Sequence, residues 1–72
     1  MPVRYFDFIE GNSSKFWQIG WHDNQVTVRF GRIGTAGQTR VKTFPDAQAA
    51  ERHVAKLVAQ KTKKGYREPV PN

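Results

Sequence analysis

The sequence predicts an α+β domain: a four-stranded antiparallel β-sheet followed by one C-terminal α-helix packed on one face. Three observations carry that expectation. Residues 4–44 hold four short runs rich in β-branched and aromatic residues, in which apolar and polar positions alternate as they do in half-buried strands. Gly, Asn, Asp and Ser punctuate these runs closely enough for tight connections. After Pro45 the apolar period lengthens to that of a helix.

The first strand is expected over residues 4–10 (RYFDFIE), with a turn at 11–14. The second covers 15–21 (KFWQIGW), where Trp17, Ile19 and Trp21 share one face, and a turn follows at His22-Asp23-Asn24. The third covers 25–30, with Val26, Val28 and Phe30 on one face and Thr27 and Arg29 on the other. A glycine-rich connection, 31–37, leads to the fourth strand, 38–44, where Thr39, Val41 and Thr43 stand opposite Gln38, Arg40 and Lys42. Asp46 is a good N-cap. From 47 to 64, Ala50, Val54, Leu57 and Val58 repeat at helical spacing. Lys61, Lys63 and Lys64 fill the last turn, where cations suit the helix dipole. Gly65 stops the helix, Tyr66 folds back onto it, and 67–72 form an extended tail. The whole chain, 1–72, reads as one domain with its core in about 4–66. One helix cannot cover both sheet faces, so the second face is expected to hold the surplus aromatics, as a small second core or an exposed platform.

Composition narrows the function. A chain of 72 residues buries only about 60% of its unfolded surface. It contains no Cys and two His, so neither a disulfide nor a metal staple is expected. No cofactor motif is present. The separated acidic residues offer no acid–base pair or nucleophile triad, so an enzyme is not expected. Twelve Lys and Arg against six Asp and Glu leave a net charge of +6. That surplus concentrates polyanions around so small a surface, with nucleic acid the leading partner, an acidic or phosphorylated protein second, and an anionic membrane third. No apolar run approaches the roughly 18–20 residues of a membrane span, and the N-terminus shows no secretory h-region. The expected compartment is the cytoplasm.

The run Gly31-Arg32-Ile33-Gly34-Thr35-Ala36-Gly37 has the look of a phosphate loop, but Walker and dinucleotide loops open helices, and this one joins two strands. Its glycines suit a hairpin with positive φ, and they also permit close backbone approach to a phosphate beside Arg32. Arg29, Arg32, Arg40 and Lys42 gather on the third and fourth strands around the loop. The alternation allows Arg29, Arg40 and Lys42 to share a solvent face, while Arg32 projects from the loop. Lys56, Lys61, Lys63, Lys64 and Arg67 form a second basic group, read chiefly as dipole-complementing helix residues.

Residues 15–66 strongly resemble the WGR domain. The matching pieces are Phe16-Trp17-Gln18-Ile19, Val26-Thr27-Val28-Arg29, the run from Phe30 to Gln38, Lys42-Thr43-Phe44, and Lys63-Lys64-Gly65-Tyr66. The family's name-giving Trp-Gly-Arg reads Phe30-Gly31-Arg32 here. The resemblance implies a non-catalytic module. In DNA-dependent poly(ADP-ribose) polymerases such domains bind DNA near strand ends and contact neighbouring domains. Bacterial relatives occur alone or attached to regulators. The expected site is therefore a nucleic-acid interface made of Arg29, Phe30, Gly31, Arg32, Arg40 and Lys42. The alternative is a protein-interaction or regulatory adaptor that uses the same surface. Two readings of Phe30 stand open: a ring stacked on a sugar or terminal base, re-aimed by a twist or bulge beside Gly31, or a core ring sharing parity with Val26 and Val28.

Overall fold

The computed structural model describes residues 3–69. In chain order the elements are β1 (Val3–Glu10), β2 (Ser13–His22), β3 (Gln25–Arg32), β4 (Gln38–Thr43) and α1 (Ala47–Lys63). The strands form one antiparallel sheet in the order β1-β2-β3-β4, as expected for a meander. Both first turns are tighter than the sequence suggested. Gly11-Asn12 alone joins β1 to β2, with Gly11 at φ +57°, and Asp23-Asn24 alone joins β2 to β3, with Asp23 at φ +53°. Ser13, Ser14 and His22 are strand residues instead.

The helix begins and ends as its sequence dictates. The Asp46 carboxylate accepts the Ala49 N–H at 2.7 Å. At the other end Gly65 adopts φ +105°, Tyr66 N–H donates to the Lys61 carbonyl at 3.0 Å, and Gly65 N–H donates to the Thr62 carbonyl at 3.1 Å. This pair of bonds closes the helix and turns Tyr66 back onto it. The chain then runs beside β1. Asp7 and Arg67 exchange two backbone hydrogen bonds of 2.8 Å, and the Arg4 guanidinium meets the Glu68 carboxylate at 2.6 and 2.9 Å. The tail is thus laced to the sheet as far as it is described; residues 70–72 of the expected tail lie outside the described residues.

α1 packs across β2 and β3. Phe6, Trp17, Ile19, Val26, Ala50 and Val54 are buried between sheet and helix, with Trp21, Val28, Phe30, Phe44, Leu57 and Val58 around them. Burial of each such large side chain contributes roughly 1.5–3 kcal/mol. β4 overhangs the helix, and all six of its residues are exposed. On the reverse face Tyr5 stacks on Phe16, with centroids 6.1 Å apart, and the Arg29 guanidinium lies 4.7 Å from the centre of the Phe16 ring. This is the small second core that one helix could not supply.

Candidate nucleic-acid interface

Strand register decides which basic residues meet. On the helix side of the sheet, one cross-strand row is Phe6, Trp17, Phe30 and Gln38. The next row, towards the open end, is Phe8, Lys15 and Arg32. Lys15 and Arg32 stand directly opposite one another, a like-charge pairing that destabilises a sheet. Lys61 joins them from α1, its ammonium 5.6 Å from the centre of the Trp17 ring and 5.1 Å from that of Tyr66. Burial first, and then the neighbouring charges of Lys64 and Lys15, hold Lys61 below its ordinary pKa. Among the described residues none of Lys15, Arg32 and Lys61 has an ion-pair partner. Together with Phe30 and Tyr66 they line an open cleft of about 410 Å³. Cations crowded around aromatic rings suit an anion carrying flat apolar groups.

Of the six expected site residues, the structure brings Phe30, Gly31 and Arg32 to this cleft. Gly31 and Arg32 belong to β3, opposite Phe16 and Lys15, and the loop proper is 33–37. Arg32 therefore projects from a strand end rather than a loop. No bulge interrupts the pairing of β2 with β3 through Arg32, so Phe30 keeps the parity of Val26 and Val28. Its ring is half-buried against the core and borders the cleft. The missing side chain of Gly31 serves the fold: a Cβ there would stand 2.8 Å from Gly37 Cα, where the loop returns across the reverse face.

Arg29, Arg40 and Lys42 do not share a face. Arg29 is on the reverse side, donating to the Ala36 carbonyl at 2.8 Å and to the Gln18 side chain at 2.9 Å while it covers Phe16. Arg40 and Lys42 are on the helix side, opposite Val28 and Val26. There they rim a second cleft, of about 350 Å³, between β4 and α1, with Phe30 between it and the first. The helix side thus carries a basic strip: Arg40 and Lys42, then Phe30, then Arg32, Lys15 and Lys61. The sequence reading missed Lys15 and Lys61 as members. The signal that could have found Lys15 is the two-residue turn at Asp23-Asn24, which places it opposite Arg32.

His53 lies along the strip against Phe44, with ring centroids 4.8 Å apart. Burial, then Lys42, then Lys56, hold its pKa below the ordinary 6.5. The folded chain therefore binds fewer protons than the unfolded chain once the pH falls below about 6.5. Stability is expected to decline as pH drops from about 7 to 5, and to decline less steeply in His53→Gln; urea midpoints across that range measure both slopes.

Among the described residues no three His, Asp or Glu side chains stand close enough to hold a metal ion, and no helix is long and apolar enough to cross a membrane. A family model of the WGR domain matches residues 3–72. Protein YehF of Escherichia coli (strain K12) is 39% identical over 64 residues, covering 89% of this chain and 23% of its own length. The uncharacterized protein YfeS of the same organism is 33% identical over 63 residues, covering 88% and 26%. A crystal structure of a Bacteroides fragilis protein superposes with a TM-score of 0.92 at 46% identity, over 96% of this chain and 20% of that one. The chain spans about a quarter of the curated relatives that it matches.

Proposed function

Because the chain belongs to the WGR domain family, we propose that it is a non-catalytic nucleic-acid-binding module that takes DNA, strand ends preferred, along the helix side of its sheet. The observation that carries this reading is the meeting of Lys15, Arg32 and Lys61, without ion-pair partners among the described residues, around Phe30 and Tyr66. Folding gains nothing from placing Lys15 opposite Arg32, whereas a phosphate between them turns their repulsion into attraction. Arg32 binds two phosphate oxygens through its planar fork, and Lys15 and Lys61 act as point charges. Phe30 offers the cleft-side part of its ring to a terminal base or sugar, a contact worth roughly 1–3 kcal/mol per base. Arg40 and Lys42 extend the strip for the next phosphates. Arg29 and Gly31 serve by holding the loop that positions β4.

Salt dependence tests the reading. Each phosphate contact contributes about −0.9 to the slope of log affinity against log salt on duplex DNA, so one phosphate shared by Lys15, Arg32 and Lys61 and one each at Arg40 and Lys42 predict about −3. Affinities of about 10⁻⁴–10⁻⁶ M are expected at physiological salt. Titrations should compare blunt duplex, nicked duplex, single strand and closed circle at two salt concentrations. Equal affinity per site for closed circle and nicked duplex would remove the preference for ends. Absence of binding to every form at about 50 mM salt would leave a protein partner as the better reading of the same surface.

A further inference from the structure

β4 is the last strand of the sheet, and its outer edge has no neighbouring strand among the described residues. Two backbone hydrogen bonds set what that edge displays. Phe44 N–H donates to the Asn24 carbonyl at 2.7 Å, and Ile33 N–H donates to the Ser14 carbonyl at 3.0 Å. Ladder bonds alternate along an antiparallel pair, and both observations give the same phase. Gln25, Thr27, Arg29 and Gly31 bond to β2, while Val26, Val28 and Phe30 bond to Lys42, Arg40 and Gln38 of β4. Thr39, Val41 and Thr43 therefore turn their N–H and C=O groups outward, donors alternating with acceptors along the edge.

The side chains beside this edge sort by face. Arg40 and Lys42 stand on the helix side, over the cleft of about 350 Å³, and neither has an ion-pair partner among the described residues. Val41 projects from the reverse side and is 56% exposed. The strand has no proline, and no bulge breaks its pairing with β3, although both are devices by which edge strands refuse a neighbour.

We infer that the β4 edge is a docking site for an extended segment of a partner protein in which acidic and β-branched residues alternate. The segment joins the sheet as a fifth, antiparallel strand. Its backbone supplies both the acceptors and the donors that the edge calls for. A nucleic-acid backbone offers phosphate acceptors without a matching row of donors, so the edge takes peptide and not DNA. The acidic residues fall opposite Arg40 and Lys42. Those are the non-hydrogen-bonded positions of the new pair, where Cα atoms approach to about 4.5 Å and side chains meet most closely. A β-branched residue falls opposite Val41, where it covers exposed apolar surface. Charge also excludes a second copy of β4 as the occupant. Antiparallel pairing centred on Val41 would set Arg40 against Lys42 on both sides of it, a destabilising like-charge contact. The bound segment covers Arg40 and Lys42 and leaves Lys15, Arg32 and Lys61 open, so the inference does not rest on what those three bind.

NMR titration of the isotope-labelled chain with a capped peptide containing Val-Glu-Val-Glu-Val tests this, with no nucleic acid present. The expected result is saturable binding with a dissociation constant of about 10–100 μM at about 50 mM salt, as suits a small contact that must order its ligand. At saturation, hydrogen exchange of the Thr39, Val41 and Thr43 amides should slow at least about tenfold, while the Arg40 and Lys42 amides, already bonded to β3, change little. A Val-Lys-Val-Lys-Val peptide should bind at least about tenfold more weakly, and Arg40→Glu with Lys42→Glu should reverse the order of the two peptides. Val41→Pro removes the central outward N–H and should weaken Val-Glu-Val-Glu-Val at least about tenfold. The charge reversal decides by itself if the proline variant fails to fold. Absence of binding at about 1 mM peptide overturns the inference, as does equal binding of the two peptides. Binding that leaves the three edge amides exchanging freely overturns it too, because the peptide then acts only as a polyanion on the basic strip.

Discussion

Replacing Gly37 with alanine is expected to lower stability by about 2–4 kcal/mol, which in a domain of this size is a drop of roughly 10–25 °C in melting temperature. Two costs combine. Gly37 holds φ +71°, where a side chain is strained, and a Cβ there would collide with the Phe30 carbonyl oxygen and stand 2.8 Å from Phe16 Cζ. The backbone obstacle cannot rotate away, so the loop must lift from the sheet. Lifting it releases Ala36 from Arg29 and withdraws the cover from Phe16. Gly34→Ala is the matched control. Its φ is also positive, at +95°, but nothing lies within 4 Å of the added carbon, and the expected cost is about 1 kcal/mol. Thermal melts of the two variants should differ clearly; equal melting temperatures would mean that the loop is not docked as described.

The second large effect separates binding from folding. Arg32→Ala should weaken nucleic-acid binding by about 1.5–3 kcal/mol, or roughly tenfold to 150-fold, if Arg32 makes a charge-assisted phosphate bond. Its effect on stability should have the opposite sign. Arg32 is exposed, makes no side-chain hydrogen bond among the described residues, and faces Lys15 across the pair of strands. Removing one of two facing like charges stabilises by a few tenths of a kcal/mol. A variant that melts slightly higher and binds far more weakly marks a residue kept for its ligand. Unchanged affinity would remove Arg32 from the interface. Arg29→Ala provides the contrast: it should cost stability, because it uncovers Phe16 and leaves the Ala36 carbonyl without its partner.

Much of the architecture was legible in the residues. Asp46 and Gly65 marked the two ends of the helix because their roles are local: a side-chain acceptor for a free N–H, and a positive φ. The alternation of Val26, Val28 and Phe30 fixed the inner face of β3. The site was only half legible, for two physical reasons. Alternation gives the phase of residues within a strand but not the phase of one strand against the next, which depends on turn length. A turn drawn as His22-Asp23-Asn24 hides the pairing of Lys15 with Arg32 that the two-residue turn creates. The second reason is β4. Arg40 and Lys42 were expected to share a solvent face with Arg29, opposite Val41, yet β4 extends beyond the helix and both of its faces are wet. Without an inner side to fill, Val41 faces the reverse side, and Arg40 and Lys42 come to the helix side. Lys61 was missed because its partners, Trp17 and Tyr66, come from a distant strand and from beyond the helix stop.

The lacing of the tail along β1 has a consequence for how such a unit travels between genes. Arg4 grips Glu68, so the polypeptide comes in and goes out at the same edge of the sheet. Chain ends that lie together let a folded unit be spliced into a host protein while both partners keep their own shape. Here both splice points lie at β1, two strands away from β3 and its glycine-rich return, and three from β4. A host joined there leaves the far end of the sheet unobstructed. The unit can behave as a cassette, and relatives in which the matched region is 23% or 26% of a longer polypeptide are the kind of setting that such an entrance and exit permit.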